Sequence, residues 1–347
     1  KGKPSVIVLN HADLPLEVVL VDDGYSAGFG DPEALADGFE DLGALAATIR
    51  EAGRVPGLWL APFAAAASGP LATEHPEWLL RDAAGEPVDA GDHPVHGRLV
   101  ALDPTHPGVE SWLRRTTSSV VDDWGFGYLK LDFLAVGALP GERHADVPRA
   151  AAYRRGLRAI REAAGDAFLL GCGAPQAPSA GLVDAMRVGP DVAPEWDDAD
   201  AGSAPAVSNA VRNALARGFL GGEWWVNDPD CLLLRDETSL TAAERGSFAA
   251  LVALSGGSAF DSDRLAALTP GARDLLRRVL PPAPDGTVAD LGARVPPRDL
   301  RCRTTGGDHR WGARARFNWE DEPATVAVDP NGGGGLAWDA WDRRLVE

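Results

Sequence analysis

The sequence predicts an α/β protein: a TIM-type (β/α)8 barrel followed by a small C-terminal antiparallel β domain. Three observations predict it. Short β-like runs alternate with amphipathic or alanine-rich stretches through most of the 347 residues. The alternation repeats about eight times, and a closed parallel barrel takes about 250 residues. After Pro281-Pro282-Ala283-Pro284-Asp285-Gly286 the helical patterns stop. The division expected is 1–282 for the barrel and 283–347 for the β domain.

The elements follow in order. Runs 5–9 (SVIVL) and 17–22 (EVVLVD) are apolar and β-branched, as buried strands are. Only Asn10 to Leu16 separates them, whereas a parallel crossover needs a dozen residues or more. Either the first helix is absent or run 5–9 is not the first barrel strand. Stretch 38–53 reads as a helix, 56–62 (PGLWLAP) as a strand, 107–122 as a helix and 127–134 as a strand. Helix 147–164 leads to strands 167–172 and 184–189, helix 206–219 to strand 223–227, and helix 241–255 to strand 258–261, with helix 270–280 closing the series. The helical stretches place apolar residues at helical spacing. Beyond residue 282, β-prone runs at 314–319 and 324–328 lie between Gly and Pro punctuation. Gly332 to Gly335 is a turn or loop, because a phosphate cradle needs a following helix.

Composition narrows the function. Apolar residues at 45% and charged residues at 24% provide for a sizeable core. The 33 basic and 51 acidic residues leave a net charge of −18, which repels phosphate backbones and anionic lipid, so neither nucleic acid nor membrane is an expected partner. No apolar run reaches the roughly 18 residues of a spanning helix, and Lys1-Gly2-Lys3-Pro4 opens no signal-like apolar region. Three cysteines form no disulfide framework, and a cytoplasmic location is expected. Self-association is left open.

In a barrel the active site lies at the C-terminal ends of the strands. Asp22 and Asp23, Trp59, Lys130 and Asp132, Cys172, Arg187 and Asp191, and Asn227, Asp228 and Asp230 all fall there. Residues two apart on a strand share a face, so Tyr128, Lys130 and Asp132 are expected to point together, as are Arg187, Gly189 and Asp191. Two carboxylates and two cations around one mouth suit glycoside cleavage by a nucleophile and a general acid/base, which needs no metal or organic cofactor. Trp59, Trp196, Trp224 and Trp225 are expected at the same rim, where they suit the apolar faces of a sugar ring.

Plainer readings compete. Asp41, Asp103 and Asp236 suit helix caps or turns. Lys130 and Asp132 suit a structural ion pair, Cys172 a core thiol, and Asn227-Asp228-Pro229-Asp230 a turn. The seven histidines lie mainly in loop-like sequence without paired metal-ligand spacing. GxSxG, P-loop and strand-linked GxGxxG motifs are absent.

As a set, six ordered motifs resemble glycoside hydrolase family 36, the bacterial-type α-galactosidases or melibiases. They are Val21-Asp22-Asp23-Gly24-Tyr25, Pro56-Gly57-Leu58-Trp59-Leu60-Ala61-Pro62-Phe63, Leu129-Lys130-Leu131-Asp132-Phe133, Gly171-Cys172-Gly173, Met186-Arg187-Val188-Gly189-Pro190-Asp191 and Trp225-Val226-Asn227-Asp228-Pro229-Asp230-Cys231. Phe317-Asn318-Trp319 looks like part of the family's C-terminal β domain. The resemblance implies a retaining enzyme acting on α-galactoside oligosaccharides of the raffinose or melibiose kind. Asp132 would then be the nucleophile and Asp191 the acid/base. Asp22 and Asp23, assisted by Trp59, would bind the axial 4-hydroxyl and the 6-hydroxyl, with Lys130 on the 3- and 4-hydroxyls and Arg187 near the 2-hydroxyl. Cys172 would wall the 2-substituent, and Arg98 would sit at the pocket rim. The family usually carries an N-terminal β-sandwich and a Trp-containing segment after the first strand, where this sequence passes from Asn10 to His11. An α-N-acetylgalactosaminidase, a galactosyltransferase and a sugar-binding barrel without turnover are the alternatives.

Overall fold

The computed structural model describes residues 14–197, 205–293, 297–306, 309–319, 337–338 and 345–346. Strand candidate 5–9, the Asn10-His11 junction, run 324–328 and the Gly332 to Gly335 segment lie outside the described residues. The chain divides into two compact units, Leu16–Met186 and, from Arg187 on, the described residues of the remainder.

The first unit is built on parallel strands β1 (Val18–Val21), β4 (Val55–Leu60), β8 (Tyr128–Leu131), β9 (Phe168–Gly171) and β10 (Ala185–Arg187), adjacent in that order, with the last residue of β10 opening the second unit. Nearly every position of β4, β8 and β9 is buried, which is why these runs are apolar almost without alternation. Register pairs Val21 with Leu58, Trp59 with Lys130 and Leu131 with Gly171. The strands therefore end together, and Asp22, Asp132 and Cys172 leave them at one edge. Helices α1 (Leu42–Glu51), α3 (Pro107–Ser118) and α4 (Arg149–Ala164) are the expected crossovers; Asp41 caps α1, its side chain accepting the Ala44 N–H at 2.9 Å. Asp103 makes a buried turn by accepting the Thr105 N–H at 2.9 Å.

Several elements were not anticipated. Hairpin β2 (Ser26–Gly28) and β3 (Asp31–Leu35) follows β1. Short helices α2 (Pro70–Glu74) and α5 (Gln176–Ser179) add to the crossovers. An antiparallel sheet of β5 (Ala64–Ala66), β7 (Gly97–Ala101) and β6 (Asp89–His93) rises after β4. Gly30, at φ 87°, joins these layers: a Cβ there would lie 2.2 Å from the Ala64 carbonyl oxygen.

The second unit carries β11 (Val226–Asp228), the parallel pair β12 (Cys231–Leu232) and β13 (Phe260–Asp261), and helices α6 (Val207–Ala216), α7 (Ala242–Leu254) and α8 (Pro270–Val279). Thr241 and Glu244 form a capping box on α7, whereas Asp236, expected as a cap or turn, pairs with Arg245 at 3.3 Å. Beyond α8, β14 (Gly286–Val288), β15 (Asp299–Gly306) and β16 (His309–Arg316) form the expected antiparallel sheet, and β17 (Ala337–Trp338) pairs with β18 (Leu345–Val346).

The architecture is thus a parallel α/β sheet with a separate antiparallel C-terminal sheet. Among the described residues the parallel sheet stays open at β1 rather than closing into a barrel. No helix among them is long and apolar enough to cross a membrane.

Candidate active site

Strand β8 stops at Leu131, so Asp132 sits in the turn beyond it. The expected alternation over Tyr128, Lys130 and Asp132 therefore ends one residue early. Phe133 follows in the left-handed region at φ 53°, uncommon for an aromatic residue and of the kind that collects at functional turns. That turn points the Phe133 N–H at Asp132 Oδ1, 2.7 Å away, and the Trp59 indole N–H donates to Asp132 Oδ2 at 3.1 Å. Both carboxylate oxygens are thereby oriented. A Cβ on Gly173, at φ 53°, would come within 3.3 Å of Asp132 Oδ1, so the backbone after Cys172 closes the other side.

Lys130 is buried and its ammonium donates to Asp22 at 2.8 and 3.1 Å. Asp23 takes the Gly24 N–H on Oδ1 at 2.8 Å and lies 3.1 Å from His93 Nε2 through Oδ2. Phe29 stands edge-on to Trp59 at 5.6 Å and to Phe133 at 5.2 Å, and packs on His93 at 5.0 Å. Burial, reinforced by the charges of Asp23 and Asp31, raises the Tyr25 hydroxyl well above its ordinary range; it donates to the Trp59 carbonyl at 2.9 Å. Burial lowers His96, as does the neighbouring His93, against the opposing pull of Asp23. The first unit thus gathers Asp22, Asp23, Trp59, Lys130 and Asp132 with aromatic backing, and Cys172 is buried directly after β9. Arg98 is exposed, with its guanidinium 3.6 Å from Asp89 and 3.4 Å from the Pro87 carbonyl. The inward place on that hairpin belongs to His93, which the sequence reading set aside with the loop histidines.

In the second unit, Arg187 is the centre. Its Nε lies 2.8 Å from Asp228, one terminal nitrogen 2.9 Å from Asp191 and the other 2.8 Å from Asp230. Asp228 is fully buried while the Asp191 side chain is 70% exposed, so Asp191 is the member of this cluster open to a ligand. Asp230 adopts φ 80° and accepts the Val192 N–H at 2.7 Å. Burial raises its pKa, Arg187 opposes that shift and Asp228 adds to it. Strand β10 ends at Arg187, and Pro190 has no N–H to extend a ladder, so Arg187 meets Asp191 through a turn rather than along a strand face.

The aromatic rim expected of Trp224 and Trp225 is not formed at the mouth. Both precede β11 and so lie at its N-terminal end; Trp225 is buried and donates to Asn227 at 3.0 Å. Asn227 in turn donates to the Arg217 carbonyl at 3.1 Å, a structural role. Trp196 stacks at 6.1 Å on Trp319, which stacks on Phe317 at 4.8 Å. Among the described residues no group of three His, Cys, Asp or Glu side chains could hold a metal ion.

No protein-family model matches the chain. Its structure is similar to that of the α-galactosidase from Thermus thermophilus in complex with stachyose, with 38% identity and a TM-score of 0.71 over 78% of this chain and 59% of that one. The same enzyme in complex with p-nitrophenyl α-D-galactopyranoside gives 36% identity and a TM-score of 0.73 over 84% and 59%. By sequence and fold the chain is similar to α-galactosidases. It spans 59% of the length of the Thermus enzyme. A stretch of 125 residues, 33% of the chain, is 30% identical to an A type blood α-D-galactosamine galactosaminidase from Flavonifractor plautii, of which it covers 11%.

Proposed function

We propose that the chain is the catalytic part of a family 36 α-galactosidase that removes terminal α-linked galactose from oligosaccharides with net retention. The observation that supports this best is the Asp132 carboxylate, held on both oxygens beside the Lys130–Asp22 pair, in a chain similar to an enzyme solved with an α-galactoside. Asp132 attacks C1 of the sugar while Asp191 protonates the departing oxygen; Asp191 then takes a proton from water, which attacks C1 and releases Asp132. Asp22, with Lys130, takes the 3- and 4-hydroxyl side, Asp23 and Trp59 the 6-hydroxyl side, Arg187 orients Asp191 near the 2-hydroxyl, and Arg98 stands at the rim. Residues 283–347 form a separate β domain, and the protein works in the cytoplasm without a cofactor.

The local identity to a galactosaminidase favours a second reading, α-N-acetylgalactosaminidase activity by the same mechanism. Cys172 argues for the unsubstituted 2-hydroxyl, since a smaller residue would leave more room for an acetamido group. Hydrolysis of an aryl α-galactoside, against aryl α-glucoside and aryl α-N-acetylgalactosaminide, separates the two. Release from the galactoside alone supports the first reading and release from the N-acetylgalactosaminide the second. A folded protein silent on all three would support the remaining alternative, a sugar-binding barrel without turnover.

A further inference from the structure

We infer that His93 is a positioning residue that fixes the Asp23 carboxylate and thereby sets the requirement for a hydroxymethyl group at C6 of the sugar. The inference rests on the α-galactosidase reading for the identity of the sugar and for the hydroxyl that Asp23 meets, and on geometry for the role of His93.

His93 closes hairpin β6–β7, where it pairs with Gly97 at φ 68°. Its Nδ1 faces two backbone donors, the N–H groups of Val95 and His96, each at 3.3 Å. A nitrogen that accepts from two amides carries no proton, so the proton of the neutral ring sits on Nε2. Nε2 is the atom 3.1 Å from Asp23 Oδ2 and therefore donates to it. The other oxygen of Asp23 is held by the Gly24 N–H at 2.8 Å. One backbone group and one imidazole thus fix a carboxylate whose side chain is still 34% exposed, against 13% for His93.

The ring is itself held in place. Phe29 packs on it at 5.0 Å, and His96 stacks at 5.0 Å and 28°. Phe29 in turn contacts Trp59, so His93 and the Asp132 side of the site share one aromatic wall. Lys130 pairs with Asp22; on the α-galactosidase reading, which sets Lys130 on the 3- and 4-hydroxyls, Asp22 falls on that side and Asp23 is left for the 6-hydroxyl. A carboxylate oxygen that accepts from His93 keeps a lone pair for a sugar hydroxyl, now in a fixed direction.

The test compares an aryl α-D-galactopyranoside with the aryl β-L-arabinopyranoside, which has the same ring configuration and lacks only the C6 hydroxymethyl group. In His93→Ala the ratio of kcat/KM for galactoside to arabinoside should fall about tenfold, the size of one hydrogen bond to a charged group. His93→Gln, whose amide can donate to Asp23, should recover much of the ratio. Equal losses on both sugars would make His93 merely structural and overturn the inference, as would no loss at all. The 15N spectrum of the His93 imidazole reads the geometry without turnover. A proton on Nε2 whose solvent exchange accelerates in Asp23→Ala is the expected result, and a proton on Nδ1 overturns the inference. If the wild type hydrolyses neither sugar while this signature is present, the α-galactosidase reading has failed and the positioning of Asp23 has not.

Discussion

The Trp59 indole N–H donates to Asp132 Oδ2 at 3.1 Å across two adjacent parallel strands whose register sets Trp59 beside Lys130. That register brings a side chain from β4 to the carboxylate just past β8, while the left-handed Phe133 turns its own N–H onto the other oxygen. A carboxylate held at both oxygens suits the nucleophilic role proposed for it, because it has little orientational freedom to lose on the way to the transition state.

Replacing Trp59 by Phe therefore separates orientation from packing. The aromatic contacts with Phe29 and Phe133 persist in kind, and only the N–H is lost. The expected outcome is a loss of about tenfold in kcat/KM on an aryl α-galactoside, with the unfolding midpoint nearly unchanged. A fall in Tm of many degrees would show that Trp59 serves packing first.

Arg187 and Asp191 should divide stability from activity. Arg187→Met removes the cation from Asp228, which is fully buried, and from Asp230, leaving Asp228 with the Asp230 N–H and Asp230 with two backbone donors and the Cys231 thiol. The expected cost is about 3–5 kcal/mol, read by denaturant unfolding. Asp191→Asn changes an exposed side chain, and its unfolding midpoint should stay close to that of the wild type while glycoside hydrolysis falls roughly 10²-fold or more.

Asp261, at the end of β13, makes stability depend on pH. One of its oxygens is buried without a hydrogen-bond partner, and burial together with the Asp263 charge pushes its pKa up to about 7. A carboxyl whose folded pKa lies above its ordinary value of 3.8 binds its proton more tightly in the folded state. Its favourable contribution is full below about pH 4 and is lost as pH rises through about 7. Asp261→Asn, neutral at every pH, should raise Tm relative to the wild type at pH 8, and the gain should shrink towards pH 5. A gain that is constant with pH would show that Asp261 does not titrate in this range.

Most crossovers and parallel strands were legible because they are long or continuously apolar, as in residues 149–164 and 168–171. The small sheet after β4 was not. Its strand Asp89–His93 has no apolar run and is held by its partner and the turn at Gly97. For the same reason His93 was passed over. The one available signal was its place in a short Gly-punctuated segment, which says nothing of its distance from Asp23. At the site, the sequence identified Asp22, Asp23, Lys130, Asp132 and Arg187 as strand-end polar residues, and the structure ties each to a specific partner. It overstated strand length past Leu131 and Arg187, where a left-handed turn and a proline end the ladder. It also assigned Trp224 and Trp225 to the mouth, because periodicity does not tell which end of a short strand carries the ligand.

The central claim is that Asp132 is the nucleophile of a retaining α-galactosidase. The most direct measurement is covalent trapping with an activated aryl 2-deoxy-2,2-difluoro-α-galactoside, followed by mass spectrometry of the intact chain and of its peptides. The account predicts one added difluorogalactosyl group, located on Asp132, absent in Asp132→Ala and prevented by excess galactose. A label on a different carboxylate, or turnover of aryl α-galactoside by Asp132→Ala at the wild-type rate, would contradict it.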